Sequence, residues 1–184
     1  MNYMRKNGYT LIELLVALAV FTVVVAAPTG FFVSALKGQQ KALASQELYD
    51  NVSYTLEYMS RSLRMARKDL YGDCTGVPNT NYVTTNGHNI EFMNYNGDCQ
   101  EFFLDPDDNY LKETKNDDTL FLTARNLKVI SFNVGGHGWV QNDGQQPEVT
   151  LFLEIRGNRG SLPELQPTIK IQTSISQRNL DAMH

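Results

Sequence analysis

Gly8-Tyr9-Thr10-Leu11-Ile12-Glu13-Leu14-Leu15-Val16-Ala17-Leu18 opens the longest apolar segment of this 184-residue chain. From Leu14 to Leu36 there are 23 residues without a charge, rich in Val, Ala, Leu and Phe. At helical rise that stretch spans roughly 34 Å, enough to cross the hydrocarbon core of a bilayer. Nothing later in the chain is comparable, so one membrane span is expected. Glu13 stands near its start, four residues after Tyr9. A carboxylate in lipid costs on the order of 3 kcal/mol even on insertion scales, and it is retained where it finds a partner.

Outward from this segment, Met1 to Gly8 form a short polar leader carrying Arg5 and Lys6. On the other side, Lys37 to Tyr71 turns polar but keeps a stripe: Leu48, Val52, Leu56, Met59, Leu63, Ala66 and Leu70. Steps of three and four place these on one helix face. Gly38 is alone and no proline follows, so one helix of about 60 residues is expected, far longer than the globular average. Pro28, with Gly30 behind it, removes a hydrogen bond and should kink or loosen that helix.

After Gly72 the texture changes to short β-branched and aromatic runs between Gly, Asn, Asp and Pro clusters. Strands are expected at Asn89–Tyr95, Gln100–Leu104, Tyr110–Glu113, Thr119–Leu122, Leu127–Val134, Glu148–Arg156 and Thr168–Ser174. In Leu127–Val134, Val129 and Ser131 should face opposite to Ile130 and Phe132. Val149, Leu151, Leu153 and Ile155 share a face, as do Ile169, Ile171, Thr173 and Ile175. One apolar face per strand implies a sheet covered on one side, a role the helical stripe can fill. The expected fold class is α+β: a long N-terminal helix packed on an antiparallel sheet. Its segments are a leader (1–8), an apolar half-helix (9–36), an amphipathic half-helix (37–71) and a β-rich head (72–184).

Cys74 and Cys99 both lie beyond the apolar segment, each after a Gly-Asp turn. An even count in an exported domain favours a disulfide over two separate thiols. Closing a loop of that size stabilises by roughly 3.5 kcal/mol in the chain-entropy model. Neither the cysteine spacing nor the scattered His88, His137 and His184 resembles a zinc site, so no metal or other cofactor is expected. The formal charge of −4 falls to −6 once Arg5 and Lys6 leave with the leader, which argues against nucleic acid as a partner.

The segment around Gly8 resembles the N-terminal signature of type IV prepilins and type II secretion pseudopilins: a short basic leader, Gly8, an aromatic, Thr10-Leu11-Ile12-Glu13 and a long apolar run. The resemblance is close over residues 5–36 and covers the rest by general architecture. It implies cleavage between Gly8 and Tyr9 by a membrane prepilin peptidase, then N-methylation of Tyr9. It also implies that Glu13 pairs with the Tyr9 amine of a neighbouring subunit and so sets axial register. The i,i+4 spacing permits the same pair within one chain, and both arrangements stay open. Other implied partners are further pilin or pseudopilin subunits, the inner-membrane assembly platform and the lipid bilayer. The chain would sit in the cytoplasmic membrane with its N-terminus inside and its head outside, and then in a filament. Tyr9 stands where phenylalanine is commonest, and the offset of Pro28 differs slightly from the family's usual proline. The Val-Ala-Leu-Ala-Val-Phe run (16–21), the helix from Ala44 to Arg67 and the strand-like Gln166–Leu180 are similar to minor pseudopilins, especially the J-type.

Competing readings are weaker. A secretory signal cut after Val25-Ala26-Ala27 conflicts with Glu13 in its core and Pro28 after the cut. A plain signal anchor would leave Glu13 snorkelling toward the interface. Arg61, Arg64, Arg67 and Lys68 form a basic strip that reads first as a solvated helix face. Asp105-Pro106-Asp107-Asp108-Asn109 offers oxygens but lacks the glycine and glutamate of an EF-hand loop, so a hairpin turn explains it. Gly135-Gly136-His137-Gly138 lacks the Lys-Ser or Lys-Thr of a phosphate loop. No nucleophile–base arrangement is recognisable, so catalysis is not expected. The alternative function is a single-span, membrane-anchored binding domain outside any filament.

Overall fold

The computed structural model describes residues 8–140, 145–158 and 166–178. The leader apart from Gly8, the end of the Gln166–Leu180 segment and His184 lie outside these. The architecture is α+β: one long N-terminal helix, α1 (Leu11–Arg64), followed by seven antiparallel strands. These are β1 (Asn89–Met93), β2 (Cys99–Leu104), β3 (Leu111–Lys115), β4 (Asp118–Phe121), β5 (Leu127–His137), β6 (Glu148–Gly157) and β7 (Thr168–Ser176). All seven expected strands are present, with ends displaced by a few residues. The chain divides into two compact units, one up to Ala42 and one from Leu43 onward.

In the first unit α1 runs unbroken through Pro28. Thr29 Oγ1 donates to the carbonyl of Val25 at 2.9 Å, a local side-chain bond one residue after the proline. Every described side chain up to Leu43 is exposed.

The second unit has its own core. From α1, Leu48, Val52, Met59 and Leu63 are buried, as the stripe requires, and Leu56 is partly buried. They meet Ile90, Phe92, Phe102 and Leu111 of the first sheet and Phe132 and Leu151 of the second in one cluster. Tyr58 packs edge-on against Phe102, with ring centroids 6.2 Å apart. The helix stops at Arg64 rather than at Tyr71, which corrects the expected end. The sheet captures the following backbone: Arg67 N–H donates to the Met93 carbonyl and Asp69 N–H to the Thr80 carbonyl, each at 2.9 Å. The carbonyls left over at the helix end find donors in Tyr82 Oη (to Leu63, 2.6 Å), Arg178 N–H (to Arg64, 2.9 Å) and Gln177 Nε2 (to Ala66, 2.7 Å). Leu70, expected on the buried stripe, is therefore 54% exposed.

The strands form two sheets instead of the one expected, ordered β1-β2-β3-β4 and β5-β6-β7. The second ladder ends at β5 because segments outside the strands occupy its other edge. Gly87 accepts from Val134 N–H at 2.8 Å, His88 Nδ1 meets the Phe132 carbonyl at 2.8 Å, and Asn109 accepts from Val129 N–H at 2.9 Å. Within β5 the expected alternation fails at Ile130. A bulge between Val129 and Ser131 turns Val129 and Phe132 both inward and leaves Ile130 exposed. On β6, Val149, Leu151, Leu153 and Ile155 are all buried, as expected.

The glycines at the end of β5 and just beyond it serve packing and turning. A Cβ on Gly136 would lie 2.0 Å from the Glu148 carbonyl oxygen and 2.7 Å from the Trp139 ring. That bare backbone seats the indole, whose Nε1 donates to Glu148 O at 2.8 Å. Gly138, at φ +72°, turns the chain there.

Candidate functional site

Gly8, Tyr9 and Thr10 lead into α1 without regular structure. Among the described residues, nothing lies within 4 Å of where a Gly8 Cβ would stand, so their packing makes no demand for glycine there. Tyr9 is 91% exposed. Thr10 and Glu13 form a capping box at the helix start. Thr10 N–H and Thr10 Oγ1 donate to Glu13 Oε2 at 2.9 and 2.8 Å, and Glu13 N–H donates back to Thr10 Oγ1 at 3.4 Å. The resemblance implies the cleaved Tyr9 amine as one partner for Glu13. Thr10 is a second, and the Thr-x-x-Glu spacing before an apolar run was its signal.

Beyond the cap, Leu11 through Leu36 present apolar side chains to the outside all round the helix. α1 is the one helix among the described residues long and apolar enough to cross a membrane. A helix apolar on every face is stable where lipid or other helices cover it.

In the second unit, Cys74 and Cys99 are joined in a disulfide, with Cα atoms 5.2 Å apart. The loop that carries Cys74 is organised by Asp69, which sequence reasoning missed. Its carboxylate accepts from the N–H groups of Gly72 (2.8 Å), Asp73 (3.1 Å), Cys74 (2.9 Å) and Thr75 (2.9 Å), and from Thr75 Oγ1 (3.0 Å). Burial pushes the Asp69 carboxyl up, but the N–H groups of Thr75, Cys74 and Gly72 and the Thr75 hydroxyl outweigh it and hold the group below its ordinary range. The only local signal was an aspartate three residues before Gly72.

A second buried carboxylate, Glu113 on β3, accepts from Tyr58 Oη at 2.8 Å and from Gln100 Nε2. Burial, reinforced by the Glu113 hydrogen bond and charge, pushes the Tyr58 hydroxyl up to about 12. Above them an open cleft of about 270 Å³ is walled by Arg61, Met65, Tyr95 and Lys115.

The remaining polar features are occupied within the chain. In the Asp105–Asn109 turn between β2 and β3, the Lys112 ammonium bonds both Asp105 and Asp108, the latter at 2.7 Å. Lys112 thereby holds the Asp105 carboxyl below its usual range. A cation supplied by the protein itself, the Lys112 ammonium, thus occupies this hairpin turn. In the basic strip, Arg61 pairs with Glu57 at 2.8 Å and the Arg67 guanidinium lies 5.1 Å over the Tyr95 ring. No group of three or more His, Cys, Asp or Glu suited to a metal occurs among the described residues.

Residues 3–27 match the family model of the prokaryotic N-terminal methylation motif. The matched stretch takes in Gly8, Tyr9, Thr10 and Glu13 and the first part of α1. It supports a prepilin-type N-terminus, the mark of processed subunits of the type IV pilin and pseudopilin kind. No curated protein and no solved structure matches the chain.

Proposed function

We propose that the chain is a non-catalytic subunit, minor rather than major, of a type IV pilus or a type II secretion pseudopilus. The prepilin peptidase cuts between Gly8 and Tyr9 and methylates the new amine. Residues 9–36 then lie in the inner membrane with the head outside, and the same helix joins other pilin or pseudopilin subunits on the assembly platform. The observation that carries this reading is the methylation motif over residues 3–27, at the head of a helix whose apolar surface is exposed from Leu11 to Leu36. Gly8 adds support, since a glycine that the fold does not require suits recognition by an outside peptidase.

Glu13 sets register in this account. Its bonds from Thr10 both fall on Oε2, and among the described residues Oε1 is left for the Tyr9 ammonium. Pro28 and Gly30 mark the place where the helix loosens as subunits pack, because the proline ring supplies no N–H to the turn before it. Glu13→Val tests the register role: processing after Gly8 should continue while the protein disappears from sheared filaments. Incorporation at the wild-type level would sink that role.

A further inference from the structure

Cys74 lies in a loop outside every strand, yet its sulfur meets Cys99 at the first position of β2. They stand 25 positions apart in the sequence, which leaves the reduced chain many ways to miss. Two features narrow the choice without the S–S bond. The Asp69 carboxylate gathers four consecutive N–H groups, Gly72 to Thr75, with the Cys74 N–H among them. Asp69 is itself tied to the sheet that holds Cys99. Arg67 bridges to Met93, and Met93 is the β1 partner of Cys99 in the β1–β2 ladder. Asp69 N–H donates to Thr80 O, and Asn79 N–H donates to Asp69 O at 2.7 Å. One run of backbone pairings thus leads from Cys99 through Met93 and Arg67 to the carboxylate that shapes the Cys74 loop.

We propose that Asp69 is the positioning residue for this disulfide: it sets Cys74 opposite Cys99 before the bond forms. The role rests on the head alone and is independent of cleavage or filament assembly. Two further observations fit it. A Cβ on Gly72, at φ +80°, would sit 3.0 Å from Pro78 N, so the turn under the cradle is closely packed. Both cysteines are only half-buried, which leaves them open to a small exchanging thiol.

The chemistry balances with a disulfide oxidant. One cysteine thiolate attacks a sulfur of glutathione disulfide and releases one glutathione thiolate. The second cysteine thiolate attacks the mixed disulfide and releases the other. The two cysteines lose two electrons, glutathione disulfide gains them, and the cysteine protons pass to the leaving thiolates. The equilibrium measures the effective concentration of one cysteine at the other, which preorganisation raises.

The test is that equilibrium, measured on the full chain in detergent across glutathione redox buffers. Asp69→Asn places an NH2 group against N–H donors and should lower the effective concentration roughly tenfold, moving the potential to a more oxidising value. Thr75→Val removes one hydroxyl donor and should lower it about threefold. Asp73→Asn keeps the N–H that Asp73 lends the cradle and should leave the equilibrium at the wild-type value. A purely stabilising role would weaken oxidised and reduced protein alike and leave the equilibrium unmoved. A wild-type equilibrium in Asp69→Asn therefore overturns the proposal. If that variant does not fold when reduced, a wild-type equilibrium in Thr75→Val overturns it equally.

Discussion

Up to Ala42, every described side chain of α1 is exposed, and no core residue comes from this unit. From Leu43 onward, the same helix buries Leu48, Val52, Met59 and Leu63 among two sheets, with its end capped by Tyr82, Arg178 and Gln177. The contrast shows two sources of order in one helix. The first unit has a capping box, but no described residue of its own chain covers its apolar faces, so it is stable where lipid or other helices do. The second supplies its own cover, a disulfide and buried hydrogen bonds. Recognition divides the other way: the family motif falls on the first unit, while the second carries the core.

The largest effect should come from paired ring truncations, one in each unit. Phe102→Ala removes a buried ring from the second unit and should cost the head about 3–5 kcal/mol in denaturant unfolding. Phe21→Ala removes an exposed ring from the first and should change that transition by less than about 0.5 kcal/mol. Equal costs would break the comparison, since they would mean the apolar half-helix supports the head.

A smaller effect sharpens the account of the head. Asp69 is fully buried, and its folded-state carboxyl is held below its ordinary value. Its stabilisation is therefore complete above the unfolded-state value of about 3.9 and is lost as pH falls through the folded one. Asp69→Asn should cost about 1–3 kcal/mol at pH 7, and the gap to wild type should narrow below about pH 4. A gap constant from neutral to strongly acid pH would show that the cradle does not depend on the charge.

Much of this was legible because it was local. The strands were visible as alternating runs, and Val149, Leu151, Leu153 and Ile155 point inward as their period requires. The misses lie where distant backbone decides. Ile130 is apolar and in register by sequence, but the bulge beside it depends on what β5 meets at both edges. Nothing in Met65-Ala66-Arg67 marks a helix end, because the stop comes from Met93 and Thr80 far along the chain. The division into two sheets likewise depends on Gly87, His88 and Asn109 filling the edge of β5. Two misses were local after all. Thr10 and Glu13 had capping-box spacing, and Asp69 preceded a Gly-rich loop by the interval that lets a carboxylate reach backbone N–H groups.

If the first unit is made to be cut and assembled, its mature N-terminus carries the mark. The full chain should be produced in membranes together with a prepilin peptidase and its intact mass measured. The expected species begins at Tyr9 and is heavier than the unmodified fragment by one methylene. Uncut protein, or a chain cut after Ala27, would contradict it.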